Sequence, residues 1–92
     1  MDITVIIKRV EEIKEVGEKK FKTRTVIVTT EEQYPQTLAI QFTQDRVNAM
    51  DIFAPGDKVK IAINLKGREW TSQSGEVSVF NTIEGWKIEK AS

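Results

Sequence analysis

The stretch Lys58-Val59-Lys60-Ile61-Ala62-Ile63-Asn64-Leu65-Lys66-Gly67-Arg68-Glu69-Trp70 is where this chain concentrates side chains able to hold a ligand. At the two-residue period of an extended strand, Lys58, Lys60, Lys66, Arg68 and Trp70 share one face, and Val59, Ile61, Ile63 and Leu65 share the other. A ring among cations suits a ligand that is both planar and anionic. A nucleic-acid base stacks on the ring for about 1–3 kcal/mol, while the cations neutralise phosphates and release counterions. Stacking reads no base edge, so little sequence preference follows. The competing reading is a solvated strand face on which Trp70 covers the end of a core.

A second basic run, Lys19-Lys20-Phe21-Lys22 with Arg24, places one aromatic among cations and could line the opposite side of a groove. It is equally a soluble hairpin with guarding charges, on which Phe21 caps the core. Tyr34, in a polar loop before Pro35, either stacks on a base or packs on the proline. The candidate binding residues are therefore Lys20, Lys22, Arg24, Tyr34, Lys60, Lys66, Arg68 and Trp70.

Other chemistry is poorly supplied. The chain has no cysteine and no histidine, which removes the thiolate nucleophile, the usual general base and the commonest metal ligands. Its five glycines are scattered at 17, 56, 67, 75 and 85, so no phosphate-binding glycine loop exists. Glu11-Glu12 and Glu31-Glu32 pair carboxylates in sequence, but adjacent strand residues point to opposite faces. The expectation is a protein with no catalytic residues, metal or cofactor. The first residues lack a basic, long-apolar leader, and no run approaches the roughly 20 apolar residues of a membrane span, so a cytoplasmic protein without membrane attachment is expected.

Fourteen basic and fourteen acidic residues cancel, so net charge advertises no anionic partner. Their distribution is uneven: residues 1–24 carry seven basic and five acidic groups, 25–57 one and five, and 58–92 six and four. Two basic ends could meet as one patch if the fold brings them round a common surface.

The elements must be short. Ninety-two residues, 39% of them hydrophobic, bury one modest core, and residues 1–92 are read as one domain. Residues 3–7 and 20–30 are rich in β-branched types and read as strands. Val10-Glu11-Glu12-Ile13-Lys14-Glu15-Val16 fits a short helix as well as a strand. The strand reading makes the parity change between Ile7 and Val10 a β-bulge in a long first strand, turned into the second at Gly17-Glu18. Leu38, Ile40 and Phe42 alternate through a third strand. Val47, Met50 and Ala54 fall at helical spacing, with Thr43 or Asp45 as cap and Pro55-Gly56 as stop. Residues 58 onward form a fourth strand, Ser74-Gly75 a hairpin turn, and Val77 to Ile88 a fifth. The order βββαββ, with one short helix between strands 3 and 4, is that of an all-β, five-stranded OB-fold Greek-key barrel. Phe80, Trp86 and Phe53 are read as core aromatics, since large rings dominate small cores.

Trp70-Thr71-Ser72-Gln73-Ser74-Gly75, a basic strand ending in Trp and followed by a polar hairpin with Ser-Gly at its tip, resembles the corresponding element of bacterial single-stranded DNA-binding protein. The resemblance extends back to Phe42, with a helix and the Gly56-Asp57 turn in the expected places. Thr29-Thr30-Glu31-Glu32-Gln33-Tyr34-Pro35-Gln36 and Gly85-Trp86-Lys87-Ile88-Glu89 are similar to a smaller bacterial and phage family, domain of unknown function 3127, itself OB-like. These resemblances imply single-stranded DNA as partner, RNA being open, a replication setting, and a homodimer or higher homo-oligomer. The first family stacks a base on an aromatic near Phe42, whereas parity here groups Phe42 with apolar Leu38 and Ile40 and favours the core. Its Gly- and Pro-rich linker and acidic tail are not found before Ser92, so strand binding without tail-mediated recruitment is expected. The alternative is an OB-type module for protein interaction or assembly, without nucleic acid.

Overall fold

In the computed structural model, which describes residues 1–91 and leaves the ending at Ser92 outside, the chain forms six strands and one short 3-10 helix. They are β1 (Asp2–Val10), β2 (Lys14–Val16), β3 (Phe21–Thr30), β4 (Thr37–Thr43), the 3-10 helix (Gln44–Asn48), β5 (Lys58–Thr71) and β6 (Val77–Lys90). The expected long first strand is interrupted, so β1 and β2 together occupy its place. The bulge lies where the parity changes, between Ile7 and Arg9 in the pairing with β3.

β1 pairs antiparallel with both β3 and β5, β3 with β4, and β5 with β6. A short parallel seam of Ile40 with Ile83 and Gln41 with Glu84 joins β4 to β6. The five long strands thus form a ring in the order β1, β3, β4, β6, β5, the OB-fold arrangement, closed only narrowly at that seam. Alternation decides what lies inside. Val5 and Ile7, Val26 and Val28, Ile40 and Phe42, and Val59, Ile61 and Ile63 turn inward and are buried.

The segment after β4 is not the α-helix that spacing predicts. Its bonds run from Ala49 N–H to Arg46, Asp51 N–H to Asn48 and Phe53 N–H to Met50, each three residues back. In this tighter turn Val47 and Met50, three apart, fall on one side, and both are fully buried beneath the ring. A single buried stripe two residues long holds the segment in place, and a segment this short cannot repay α-helix nucleation.

Two hairpins leave the ring. β2 and the start of β3 make one, turned at Gly17 with φ of +75°. The second halves of β5 and first halves of β6 make the other, a ladder from Leu65 paired with Ile83 to Thr71 paired with Val77. A compact chain of this length has a radius of gyration of roughly 12 Å. The observed 14.8 Å and longest extent of 49 Å reflect these arms.

Candidate nucleic-acid interface

Where β6 peels away from β4 beyond the seam, the two strands leave an open groove of about 730 Å³. Thr25, Ala39 and Gln41 on the outer side of β3 and β4 line one side, and Leu65, Lys66 and Asn81 of the β5–β6 arm line the other. A second cleft of about 420 Å³ shares Gln41, Lys66, Gly67 and Thr82 with it and continues along the arm to Arg68 and Phe80. The two make one track from the ring to the arm.

Cross-strand register assigns the faces of the arm. Lys66 is opposite Thr82, Arg68 opposite Phe80 and Trp70 opposite Ser78, so these six share one face. Trp70 is 56% exposed and Phe80 54% exposed. They are diagonal neighbours, within roughly 7–8 Å at the backbone. The arrangement offers two ring faces beside a guanidinium, fit for consecutive planar groups on an anionic backbone.

Phe80 is a correction to the expected core set: the arm projects beyond the ring, and no described residue covers this face. Its position was recoverable by counting back from the Ser74-Gly75 turn, which places residue 80 opposite Arg68. Trp86, also read as core, is 43% exposed, because β6 bulges there between Gly85, opposite Ile63, and Lys87, opposite Ala62. Phe53 does pack against the core, and Phe42 lies wholly within it.

Of the eight candidate residues, Lys66, Arg68 and Trp70 come together on the arm. Lys66 is also bonded to Glu84 at 3.1 Å, whereas Arg68 has no ion-pair partner among the described residues. Lys60 has the right parity but sits six residues from Lys66, roughly 20 Å along the strand. It lies 3.6 Å from Asp2 and lines a separate small cleft with Trp86 and Lys87. Lys20 is in the turn of the other hairpin with φ of +52°, and Lys22 is opposite Glu15. Tyr34 is exposed on the β3–β4 loop, whose Glu31 pairs with Lys58, outside both clefts.

Arg24 faces the other way. It shares the inward parity of Phe42, donates from Nε to the Glu11 carbonyl at 2.9 Å and from Nη1 to the Val47 carbonyl at 3.0 Å, and pairs with Asp51. Its guanidinium ties the bulged first strand to the 3-10 turn and is spent as a structural clamp. Arg24→Ala is expected to cost about 1.5–3 kcal/mol in chemical denaturation, because charged hydrogen bonds are lost and two carbonyls stranded. Oligonucleotide affinity measured well below the melting temperature should stay unchanged.

The basic ends of the chain do not merge. Lys58, Lys60, Lys66 and Lys87 each sit beside a carboxylate. No cluster of three or more acidic side chains able to hold a metal occurs among the described residues.

Comparison with known proteins bears on the whole chain. The model of a family described as Domain of unknown function (DUF3127) matches residues 2–89. No curated protein matches. Among solved structures, the mitochondrial single-stranded DNA binding protein Rim1 from S. cerevisiae aligns with a TM-score of 0.66 at 9% identity, covering 98% of this chain and 93% of that one. At that identity the likeness is one of fold.

Proposed function

We propose that this chain, which belongs to the DUF3127 family, binds single-stranded DNA along the track from its ring to its β5–β6 arm, with little sequence preference and no catalysis. The carrying observation is the pair of exposed rings, Trp70 and Phe80, on the same arm face as Lys66 and Arg68. The solved structure of similar fold is that of a single-stranded DNA binding protein, which agrees with this reading. Bases stack on Trp70 and Phe80 and phosphates pass Arg68 and Lys66. The Thr25, Ala39 and Gln41 side supplies an uncharged wall. A strand of RNA presents the same base faces and phosphates, so both polymers belong in the assay. The setting this implies is the cytoplasm, at single strands exposed during processes such as replication, with the protein acting as a homo-oligomer.

The test is a titration of a labelled mixed-sequence oligonucleotide, single-stranded and duplex, across a salt series. Saturable binding of the single strand with no comparable duplex binding is expected. For single strands the logarithmic salt slope is about −0.7 per phosphate neutralised, so two cations give roughly −1.4. Arg68→Ala should flatten the slope by about 0.7. Absence of binding at low salt overturns the proposal.

A second reading has its own observation. The other face of the arm exposes Leu65, Val77 and Val79, an apolar strip suited to protein contact. A module that only assembles would show no response in the titration.

A further inference from the structure

β6 is paired with β5 along its whole length, but on its other edge only Ile83 and Glu84 meet β4. Val77-Ser78-Val79-Phe80-Asn81-Thr82 therefore presents a row of backbone N–H and C=O groups with no second strand among the described residues. Exposed edges are ordinarily guarded by charge, proline or a bulge. Two other unpartnered stretches follow that rule, while the uncharged Thr37-Leu38-Ala39 of β4 is only three residues long. β5 beyond Ile63 carries Lys66, Arg68 and Glu69, and β6 beyond Gly85 carries Lys87, Glu89 and Lys90. The segment from Val77 to Thr82 has six residues, no charge and no proline, and its outward apolar side chains lie on both faces of the arm.

We infer that this edge is the self-association surface of the protein, where β6 pairs antiparallel with β6 of a second copy. Three features select a second copy as occupant. An uncharged strand brings no like charges together when it meets itself. Antiparallel pairing of identical strands is isologous and closes as a two-fold dimer. Register limits the pairing: a two-fold axis through Phe80 would set the partner's Val77 opposite Ile83, whose outer edge Ile40 of β4 already occupies. An axis through Val79 avoids this, pairing Val77 with the partner's Asn81 and Ser78 with the partner's Phe80. The five paired residues then form about as many backbone hydrogen bonds.

The consequence is a four-stranded sheet of two arms. Opposed residues in an antiparallel ladder share a face, so the stacking faces of both copies lie on one side and the Leu65, Val77 and Val79 strips on the other. Trp70, Ser78, the partner's Phe80 and the partner's Arg68 fall in one row. The same pairing carries the partner's hairpin tip to the mouth of the groove beside Thr82. Two tracks become one continuous surface.

The experiment uses the free protein with no nucleic acid, so its outcome is separate from that of strand binding. Light scattering coupled to size exclusion should give twice the 10.5 kDa chain mass. Val79→Lys, which sets like charges against each other at the axis on a surface position, should return the single-chain mass with an unchanged circular dichroism spectrum. Because the chain has no cysteine, Val79→Cys should form a covalent dimer on mild oxidation, while Glu69→Cys, on the outer strand of the arm, should not. A monomeric wild-type protein overturns the inference, as does a dimer that survives Val79→Lys.

Discussion

Trp70→Ala is expected to weaken binding of a single-stranded oligonucleotide by about 1–3 kcal/mol, roughly 5- to 150-fold in Kd, without altering the fold. The ring is more than half exposed and covers no core residue, so little burial is lost with it. Phe80→Ala should have an effect in the same range, because its ring shares the face and stands on the adjacent strand. The two losses should not add fully, since diagonal neighbours act on consecutive bases of one strand. Trp86→Ala is the matched control: that ring lies by the Lys60 cleft, away from the track. Fluorescence anisotropy of a labelled oligonucleotide measures the wild type, the three single variants and the Trp70→Ala, Phe80→Ala double variant without relying on the tryptophans removed. Equal affinity for Trp70→Ala and wild type would sink the stacking role.

The second large effect is on stability. Phe42 is fully buried among inward residues of β4, β1 and β5, and its ring lies directly over Gly85 of β6. Removing a buried phenylalanine costs about 3–5 kcal/mol, a large share of the stability of a domain this small. Phe42→Ala should therefore lower Tm by more than about 10 °C. Gly85 has ordinary backbone geometry but no room: a Cβ there would press into three ring carbons of Phe42. Gly85→Ala should itself be destabilising by about 1–3 kcal/mol, the range for overpacking. In a Phe42→Leu background, where the ring is gone, that penalty should shrink. Thermal melts of the four-member cycle give the coupling directly. A Gly85→Ala penalty that is independent of residue 42 would show that the contact does not set the narrow seam.

Much of the ring was legible in the residues. Leu38, Ile40 and Phe42 turn one way in β4, and Val59, Ile61 and Ile63 do so in β5, because a pleated strand with one wet face imposes a two-residue period. The same parity assigned Phe42 to the core against the family resemblance. The parity change after Ile7 marked the bulge, and Gly17 marked a turn that needs positive φ. The 3-10 helix was misread as α-helical because Val47 and Met50, three apart, satisfy both geometries, and the choice is made by what lies above them.

The interface was only half legible. Alternation put Trp70 with Arg68 and Lys66, and also with Lys60, since period alone has no sense of distance along a strand. Phe80 was missed because an aromatic residue carries no sign of whether an element runs over a core or past it.

Local chemistry, then, determined strand content, element order, turn positions and which side chains share a face, since those depend on neighbours two to four residues away. Tertiary structure decided the rest: that the ends of β5 and β6 leave the ring and expose both rings, that Arg24 turns inward to clamp the first strand, that Lys60 and Lys66 meet carboxylates from other strands, and that the uncharged β6 edge from Val77 to Thr82 is left unpaired. Each depends on where a strand separated in sequence stops pairing, and that is set by closure of the ring.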